Sequence, residues 1–251
     1  MRHVPAEDDQ PTLSESAGVR YLHFGSEWVQ GAMMVSDPSR LVLEYTRQMM
    51  AWLLFVDPPT PPQAIGMLGL GAGSLTRYCL KHLPSRVQVV EWNPQVVAVC
   101  DMYFKLKATA RRMQVFCEDA ALWVANPDHH DACPVVMVDL YDAKAEGPVR
   151  DSVAFYRDCR RVLGEQAGVL SVNLFGRHES FDRNLAHLDQ AFDGRVVLLS
   201  EIEAGNRIAL AFTGDVTPLD AEPLLARAER VESQYGLPAR RWARSLLRQS
   251  R

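Results

Sequence analysis

No stretch of about 18 consecutive apolar residues occurs in this sequence, so it offers no candidate for a membrane-spanning helix. Paired cysteines are missing too. The five cysteines (Cys79, Cys100, Cys117, Cys133 and Cys159) are odd in number, scattered, and show no C-x-x-C spacing. Most lie inside apolar patterns, which suits core thiols in a reducing cytoplasm and argues against a disulfide frame. Neither charge dominates. The 27 lysines and arginines stand against 31 aspartates and glutamates, a net charge of −4, which disfavours a polyanion such as nucleic acid as partner of the whole chain. Of the seven histidines only His129 and His130 are adjacent, in a polar stretch without metal-ligand spacing, and no metal is expected. Met1 to Gln10 is acidic and polar, unlike a secretory leader.

What is present points to an α/β protein. Of 251 residues, 47% are hydrophobic, enough to fill the core of one large domain with a small partner. Residues 1–18 are polar and read as a disordered tail. Residues 19–35 alternate loosely, which predicts two strands in a hairpin around Gly25-Ser26. Asp37-Pro38 has the form of an N-cap followed by proline at the first helical position, and predicts a helix from Ser39 to about Val56. Asp57-Pro-Pro-Thr-Pro-Pro62 stops it and divides a small region, 19–62, from the rest of the chain.

From residue 63 to 215 strands and helices alternate: strands at 64–70, 86–91, 113–117, 134–140 and 168–174, helices at 74–83, 94–105, 119–125, 151–163 and 179–191. Strands 195–201 and 207–213 close the series as a hairpin around Gly205-Asn206. The pattern is that of a parallel sheet covered on both faces. Residues 216–251 form an arginine-rich extension. Ala239, Trp242, Ala243, Leu246 and Leu247 fall on one helical stripe, which predicts an amphipathic helix packed on the domain or on a second subunit, with a nucleic-acid or membrane contact as the alternative.

The stretch 64–91 carries the chemistry. An apolar strand runs into Gly69, Gly71 and Gly73, and a helix follows at once. Glycines there let the backbone bend sharply and let a ligand come close, while the new helix turns free N–H groups toward it. The next strand ends in Glu91, twenty residues after Gly71, placed to accept hydrogen bonds from ribose hydroxyls. The G-x-G-x-G spacing differs from the dinucleotide G-x-G-x-x-G and points to a single nucleoside such as an S-adenosyl sulfonium. Ligands of such sheets lie beyond the carboxyl ends of the strands, where Glu91, Asp119, Asp139 and Asp142 fall.

From about Tyr21 to Phe212 the chain resembles the spermidine synthase (polyamine aminopropyltransferase) family. The resemblance rests on Trp28-Val-Gln30, Gly69-Leu-Gly-Ala-Gly73, Val90-Glu-Trp-Asn93, Glu118-Asp-Ala120, Asp139-Leu-Tyr-Asp142 followed by Gly147-Pro148, and Phe155-Tyr156. It implies a Rossmann-like sheet of the S-adenosylmethionine-methyltransferase type behind a small N-terminal β region, usually in a homodimer. It implies a donor, S-adenosylmethionine or its decarboxylated form, and a small amine acceptor. By resemblance Gly69, Gly71, Gly73, Glu91 and Asp119 hold the nucleoside, Asp139 is the base, Asp142 holds the amine, and Gln30, Tyr45 and Tyr141 line the substrate pocket.

The chain departs from the family pattern in places. The family's glycine loop carries an aspartate that pairs with the donor's ammonium, and here that position is Ala72. Losing a charged hydrogen bond costs roughly 1.5–3 kcal/mol. Thr46 follows the pocket tyrosine in place of His or Gln, Ala143 replaces a proline, and the late Tyr-Pro-Ser-Gly-x-Trp segment is Glu203-Ala-Gly-Asn-Arg207. The leading expectation is an aminopropyltransferase-like enzyme. Two alternatives stay open: a methyltransferase using intact S-adenosylmethionine, and a non-catalytic binding or assembly protein on the same fold.

Overall fold

The computed structural model describes residues 10–25, 28–107, 111–141, 150–175, 180–202 and 205–249. It begins with a three-stranded antiparallel sheet of β1 (Pro11–Ser16), β2 (Val19–Phe24) and β3 (Gly31–Met34), in that order. The β2–β3 hairpin agrees with the expectation from sequence, although Ser26 lies outside the described residues. The disordered tail does not hold for Pro11–Ser16, which pairs with β2 from Pro11↔Phe24 to Ser16↔Val19. Ala17 (φ 48°) and Gly18 (φ 75°) both take the left-handed conformation that a tight two-residue hairpin requires. Composition hid this strand because its side chains are almost all exposed and polar. Its order comes from backbone pairing.

The expected helix 39–56 is also shorter and less regular. Asp37 makes a turn, accepting from Ser39 Oγ (2.9 Å) and Arg40 N (3.1 Å), and the Pro38 carbonyl accepts from Arg77 Nε (2.7 Å). Those contacts hold the segment in a loop until α1 (Glu44–Met49), which passes directly into a 3-10 turn, Met50–Leu54. Every residue from Met49 to Val56 is buried, as its run of Met, Trp, Leu and Phe demands.

The main sheet has seven strands: β4 (Ala64–Leu68), β5 (Arg86–Val90), β6 (Met113–Phe116), β7 (Val135–Val138), β8 (Gly168–Phe175), β9 (Val196–Leu198) and β10 (Asn206–Thr213). Their order is β6-β5-β4-β7-β8-β10-β9. The first five run parallel, while β10 runs antiparallel to β8 and to β9, so the closing hairpin forms as expected. One face is covered by α2 (Ser74–His82), α3 (Pro94–Tyr103), the 3-10 turn and the last two helices, with Ile65, Met67, Val89, Met137 and Leu210 from the sheet. The other is covered by α4 (Ala120–Ala125), α5 (Val153–Leu163) and α6 (Ser180–Ala191), with Leu68, Val136, Val172 and Ala209. Neighbouring strand residues alternate between the two cores, as period two requires.

The tail forms two helices, α7 (Ala221–Tyr235) and α8 (Ala239–Gln249), joined through Gly236 (φ 66°). The predicted stripe is real. Ala239, Trp242, Ala243 and Leu246 are buried and join the core, while Arg240 pairs with Glu232 of α7 at 2.7 Å. Among the described residues no helix is long and apolar enough to cross a membrane.

Candidate active site

The parallel strands end in register. Phe116, Val90, Leu68, Val138 and Val172 stand side by side across five strands. The residues that follow the central ends, Glu91, Gly69, Asp139 and Asn173, therefore line one edge of the sheet. This is where a doubly wound sheet leaves its crevice, because the crossovers depart in opposite directions from β4 and β7.

The glycine loop is built for closeness. Gly69 has φ +95°, and a Cβ there would lie 2.2 Å from the Asp139 carbonyl oxygen. Only glycine satisfies both the backbone angle and the space. Gly73 (φ +70°) precedes α2, and a Cβ on it would meet Leu106 at 2.6 Å and Arg77 Nη1 at 3.1 Å. Gly71 (φ +50°) has the Gln30 carbonyl above it, 3.1 Å from where a Cβ would stand. That contact brings the segment before β3 onto the loop, and Gln30 N is itself fixed to Leu22 O at 2.8 Å. Ala72 is buried, packed against Gly31 so tightly that a Cβ on Gly31 would fall 2.6 Å from Ala72 Cβ.

Below the loop lies Arg77, which donates to the carbonyls of Pro38, Ala72 and Phe104. Burial lowers its pKa to about 10, so it stays a cation at neutral pH. Cys100 Sγ donates to Gly71 O at 3.1 Å, and burial pushes this thiol up to about 12.

Glu91 binds the loop to the end of β5. Its Oε2 accepts from Leu70 N (3.0 Å) and its Oε1 from Asn93 N (2.9 Å). Burial raises its pKa, and the backbone N–H groups of Asn93, Leu70 and Trp92 oppose the rise. Each carboxylate oxygen keeps acceptor capacity beyond these bonds. Asp119, after β6, caps α4 by accepting from Ala121 N at 2.8 Å and forms an ion pair with Arg150. Asp119 is thus the N-cap of α4.

Asp139 sits deeper, one residue past β7. Its Oδ2 accepts from the Tyr45 hydroxyl (3.1 Å) and its Oδ1 from Asn173 Nδ2 (2.9 Å). Desolvation raises its pKa above the usual carboxylate value, and these two hydrogen bonds oppose the rise. Tyr45 is itself raised well above an ordinary tyrosine by burial and by the Asp139 charge, so it is a neutral donor. Tyr141 donates to Asn173 O at 2.9 Å, and Asn206 Nδ2 donates to Asn173 Oδ1 at 3.0 Å. Thr46 turns back onto its own helix, donating to Leu43 O at 2.6 Å.

The fold thus brings Gly69, Gly71, Gly73, Glu91, Tyr45, Asp139 and Tyr141 to one crevice, with Asp119 two strands away from the loop. Asp142, Ala143, Gly147 and Pro148 lie outside the described residues, as do Glu203 and Ala204. Asn173 was not singled out from sequence, and Asn206 was named only for the closing hairpin and the segment that departs from the family pattern. Asn173 stands on a largely apolar strand and Asn206 opens one, which is the signal that marks them. His129 stacks on Trp123 at 4.2 Å between ring centres and its Nδ1 lies 2.7 Å from Trp123 O, a packing role.

No family model matches the chain. Among curated proteins it is 34% identical to the polyamine aminopropyltransferase of Neisseria meningitidis serogroup A, over 93% of this chain and 88% of that protein. It belongs to the polyamine aminopropyltransferase family. Among solved structures it is similar to a probable spermidine synthase from Corynebacterium glutamicum, with a TM-score of 0.70 and 17% identity over 94% of this chain and 91% of that one. It is also similar to human methyltransferase-like protein 13 in complex with SAH, with a TM-score of 0.65 and 25% identity over 77% of this chain and 93% of that one. The aminopropyltransferase assignment fits the seven-stranded sheet and the small antiparallel sheet in front of it. The chain is a spermidine synthase-like transferase, with methyltransferases as more distant relatives.

Proposed function

We propose that this transferase moves an aminopropyl group from a decarboxylated S-adenosylmethionine donor to a small polyamine-class amine, with Asp139 as the proton acceptor. The observation that carries the reading is the setting of Asp139. It is a partly buried carboxylate beside the glycine loop, with one oxygen held by Tyr45 and the other by Asn173. In this reading Gly69, Gly71 and Gly73 let the donor lie against the backbone. Glu91 takes the ribose hydroxyls on its remaining lone pairs, and Asp119 faces the adenine amino group. Gln30, Tyr45 and Tyr141 line the acceptor side with Asp142. The protein works as a cytoplasmic homodimer.

The chemistry follows from charge. An aliphatic amine arrives as an ammonium, which has no lone pair to attack with. A carboxylate whose pKa lies above the usual value is a stronger base and takes the proton more readily. The freed amine attacks the carbon beside the sulfonium. The carbon–sulfur bond breaks with its electron pair going to sulfur, which leaves as the uncharged thioether methylthioadenosine. Attraction between the partly buried carboxylate and the incoming ammonium also positions the nucleophile.

Ala72 supports a second reading, methyl transfer from intact S-adenosylmethionine. A donor carboxylate about 4 Å from an aspartate would be repelled by roughly 1–4 kcal/mol, and alanine removes that repulsion. Calorimetric titration with S-adenosylmethionine, its decarboxylated form and methylthioadenosine decides between them. Tighter binding of the decarboxylated donor, with product formed on a diamine, is the expected result. Tighter binding of the carboxylated donor moves the assignment to methyl transfer.

A further inference from the structure

We infer that Asn206 is a positioning residue: by donating to Asn173 Oδ1 it fixes the orientation of the Asn173 amide, so that the Asn173 N–H₂ faces Asp139. The observation is a chain of three side chains. Asn206 Nδ2 donates to Asn173 Oδ1 at 3.0 Å, and Asn173 Nδ2 donates to Asp139 Oδ1 at 2.9 Å. A primary amide has two orientations of nearly equal shape and opposite polarity. With Asn173 flipped, its oxygen would face a partly buried carboxylate, two acceptors with no proton between them. Nothing in the covalent structure of Asn173 prevents that. The partner on its far side decides. Because Asn206 presents a donor, the oxygen of Asn173 turns to it and the nitrogen is left for Asp139.

The backbone supports the arrangement. Asn173 is on β8 and Asn206 opens β10, and the two strands pair antiparallel with Phe175 opposite Asn206 and Asn173 opposite Ile208. Side chains of Asn173 and Asn206 therefore share a face two positions apart along the ladder, within reach of each other. The Tyr141 hydroxyl, on the Asn173 carbonyl, fixes the strand end from the other side. Asn173 itself is buried, so water does not compensate a flipped amide cheaply.

The effect is electrostatic as well as geometric. Asn173 and Tyr45 hold the proton affinity of Asp139 down against burial. Among the described residues, the titratable groups that interact with Asp139 are Tyr45 on α1 and Tyr141 in its own loop, both raised by burial and so neutral where a carboxylate titrates. β4 meets Asp139 with the Gly69 backbone, and β8 with the Asn173 amide. Removal of the Asn206 donor therefore reaches Asp139 through Asn173 alone. In catalysis this sets the pH at which the base becomes available, a point that rests on the functional reading above, whereas the coupling itself does not.

The test is the carboxyl titration of Asp139, followed by carbon-13 NMR in the full chain and assigned with Asp139→Asn. Asn206→Leu keeps the branching at Cγ and removes the donor. The expected result is an upward shift of the Asp139 midpoint by about one pH unit, a lost charged hydrogen bond. In an Asn173→Leu background the same substitution is expected to shift it no further. An unchanged midpoint in Asn206→Leu, or an equal shift in both backgrounds, overturns the inference. Should Asn206→Leu fail to fold, Asn206→Ala carries the test, since it removes the donor without adding a charge and is expected to raise the midpoint likewise. An unmoved midpoint there overturns it equally. If the midpoint moves while no aminopropyl product forms on any amine, the coupling stands and the functional reading falls.

Discussion

The Tyr45 hydroxyl reaches across 94 positions of sequence to donate to Asp139 Oδ2 at 3.1 Å. The bond joins the helix of the N-terminal region to the end of the central strand β7. It makes the Asp139 carboxylate at the edge of the main sheet depend on a side chain supplied from outside that sheet.

Asp139→Asn is therefore expected to abolish turnover while leaving donor binding nearly unchanged. A positioned general base supplies about 10²–10⁴-fold in rate. Product formation on a diamine and donor titration by calorimetry, run on the same preparation, check it. A variant within about tenfold of wild-type turnover removes Asp139 from the proton-transfer step.

Tyr45→Phe tests the hydroxyl alone. The ring and its packing stay, and Asp139 loses one donor to its ionised form. The loss raises the Asp139 pKa further, because that hydrogen bond favours the charged state. The acid limb of the kcat profile is expected to move to higher pH by about one unit, with KM for the donor little changed.

Glu91 bears on stability rather than rate. Its folded pKa is raised, so between the ordinary carboxylate value and the folded value the native chain holds more protons than the unfolded chain. Stability from this group is full below the unfolded pKa and is lost as pH rises through the folded one, the reverse of an ion-paired carboxylate. Glu91→Gln lacks this dependence. The gap in midpoint temperature between wild type and Glu91→Gln is expected to narrow from pH 4 toward neutrality, as scanning calorimetry reads it.

The glycine loop offers a graded pair. At Gly69 an alanine meets both a positive φ of +95° and the Asp139 carbonyl at 2.2 Å. Gly69→Ala is expected to lose about 2–4 kcal/mol in denaturant unfolding, with donor binding, from strain and forced displacement. At Gly71 the φ of +50° is milder and the nearest atom stands at 3.1 Å. Gly71→Ala is expected to cost about 1 kcal/mol. Equal losses at the two positions would contradict the geometry.

Arg150→Met removes the partner of Asp119. Both side chains are more than a third exposed, at 39% and 35%, so solvent screens the pair. The expected stability loss is below about 1 kcal/mol and shrinks further in high salt, since Asp119 keeps its cap on Ala121 N. Thermal unfolding at low and high salt measures it.

Much of this was legible from residues alone. The strand–glycine–helix unit, Glu91 at the next strand end and Asp139 after β7 follow from apolar runs broken by glycine and acid, a strong local signal. β1 was not legible, because a polar strand is specified by its partner and by two left-handed turn residues, one of them alanine. The start of α1 was misplaced because Asp37-Pro38 has the chemistry of a helix cap, while the contact of Pro38 with Arg77, 39 positions on, belongs to tertiary structure. Asn173 and Asn206 escaped for a similar reason. Their meaning lies in a cross-strand hydrogen bond, and a polar residue in a largely apolar strand does not announce its partner.

The register of the strand ends has a consequence for divergence. The glycine loop, Glu91 and Asp119 stand at the ends of β4, β5 and β6, whereas Asp139 and its supports come from β7, β8, β10 and α1. The two sets touch through the backbone, where Gly69 lies against the Asp139 carbonyl and Asp139 N donates to Leu68 O at 2.9 Å. Substitutions that recast one set therefore leave the other standing, and a lineage can exchange the molecule it modifies while inheriting its sulfonium chemistry intact.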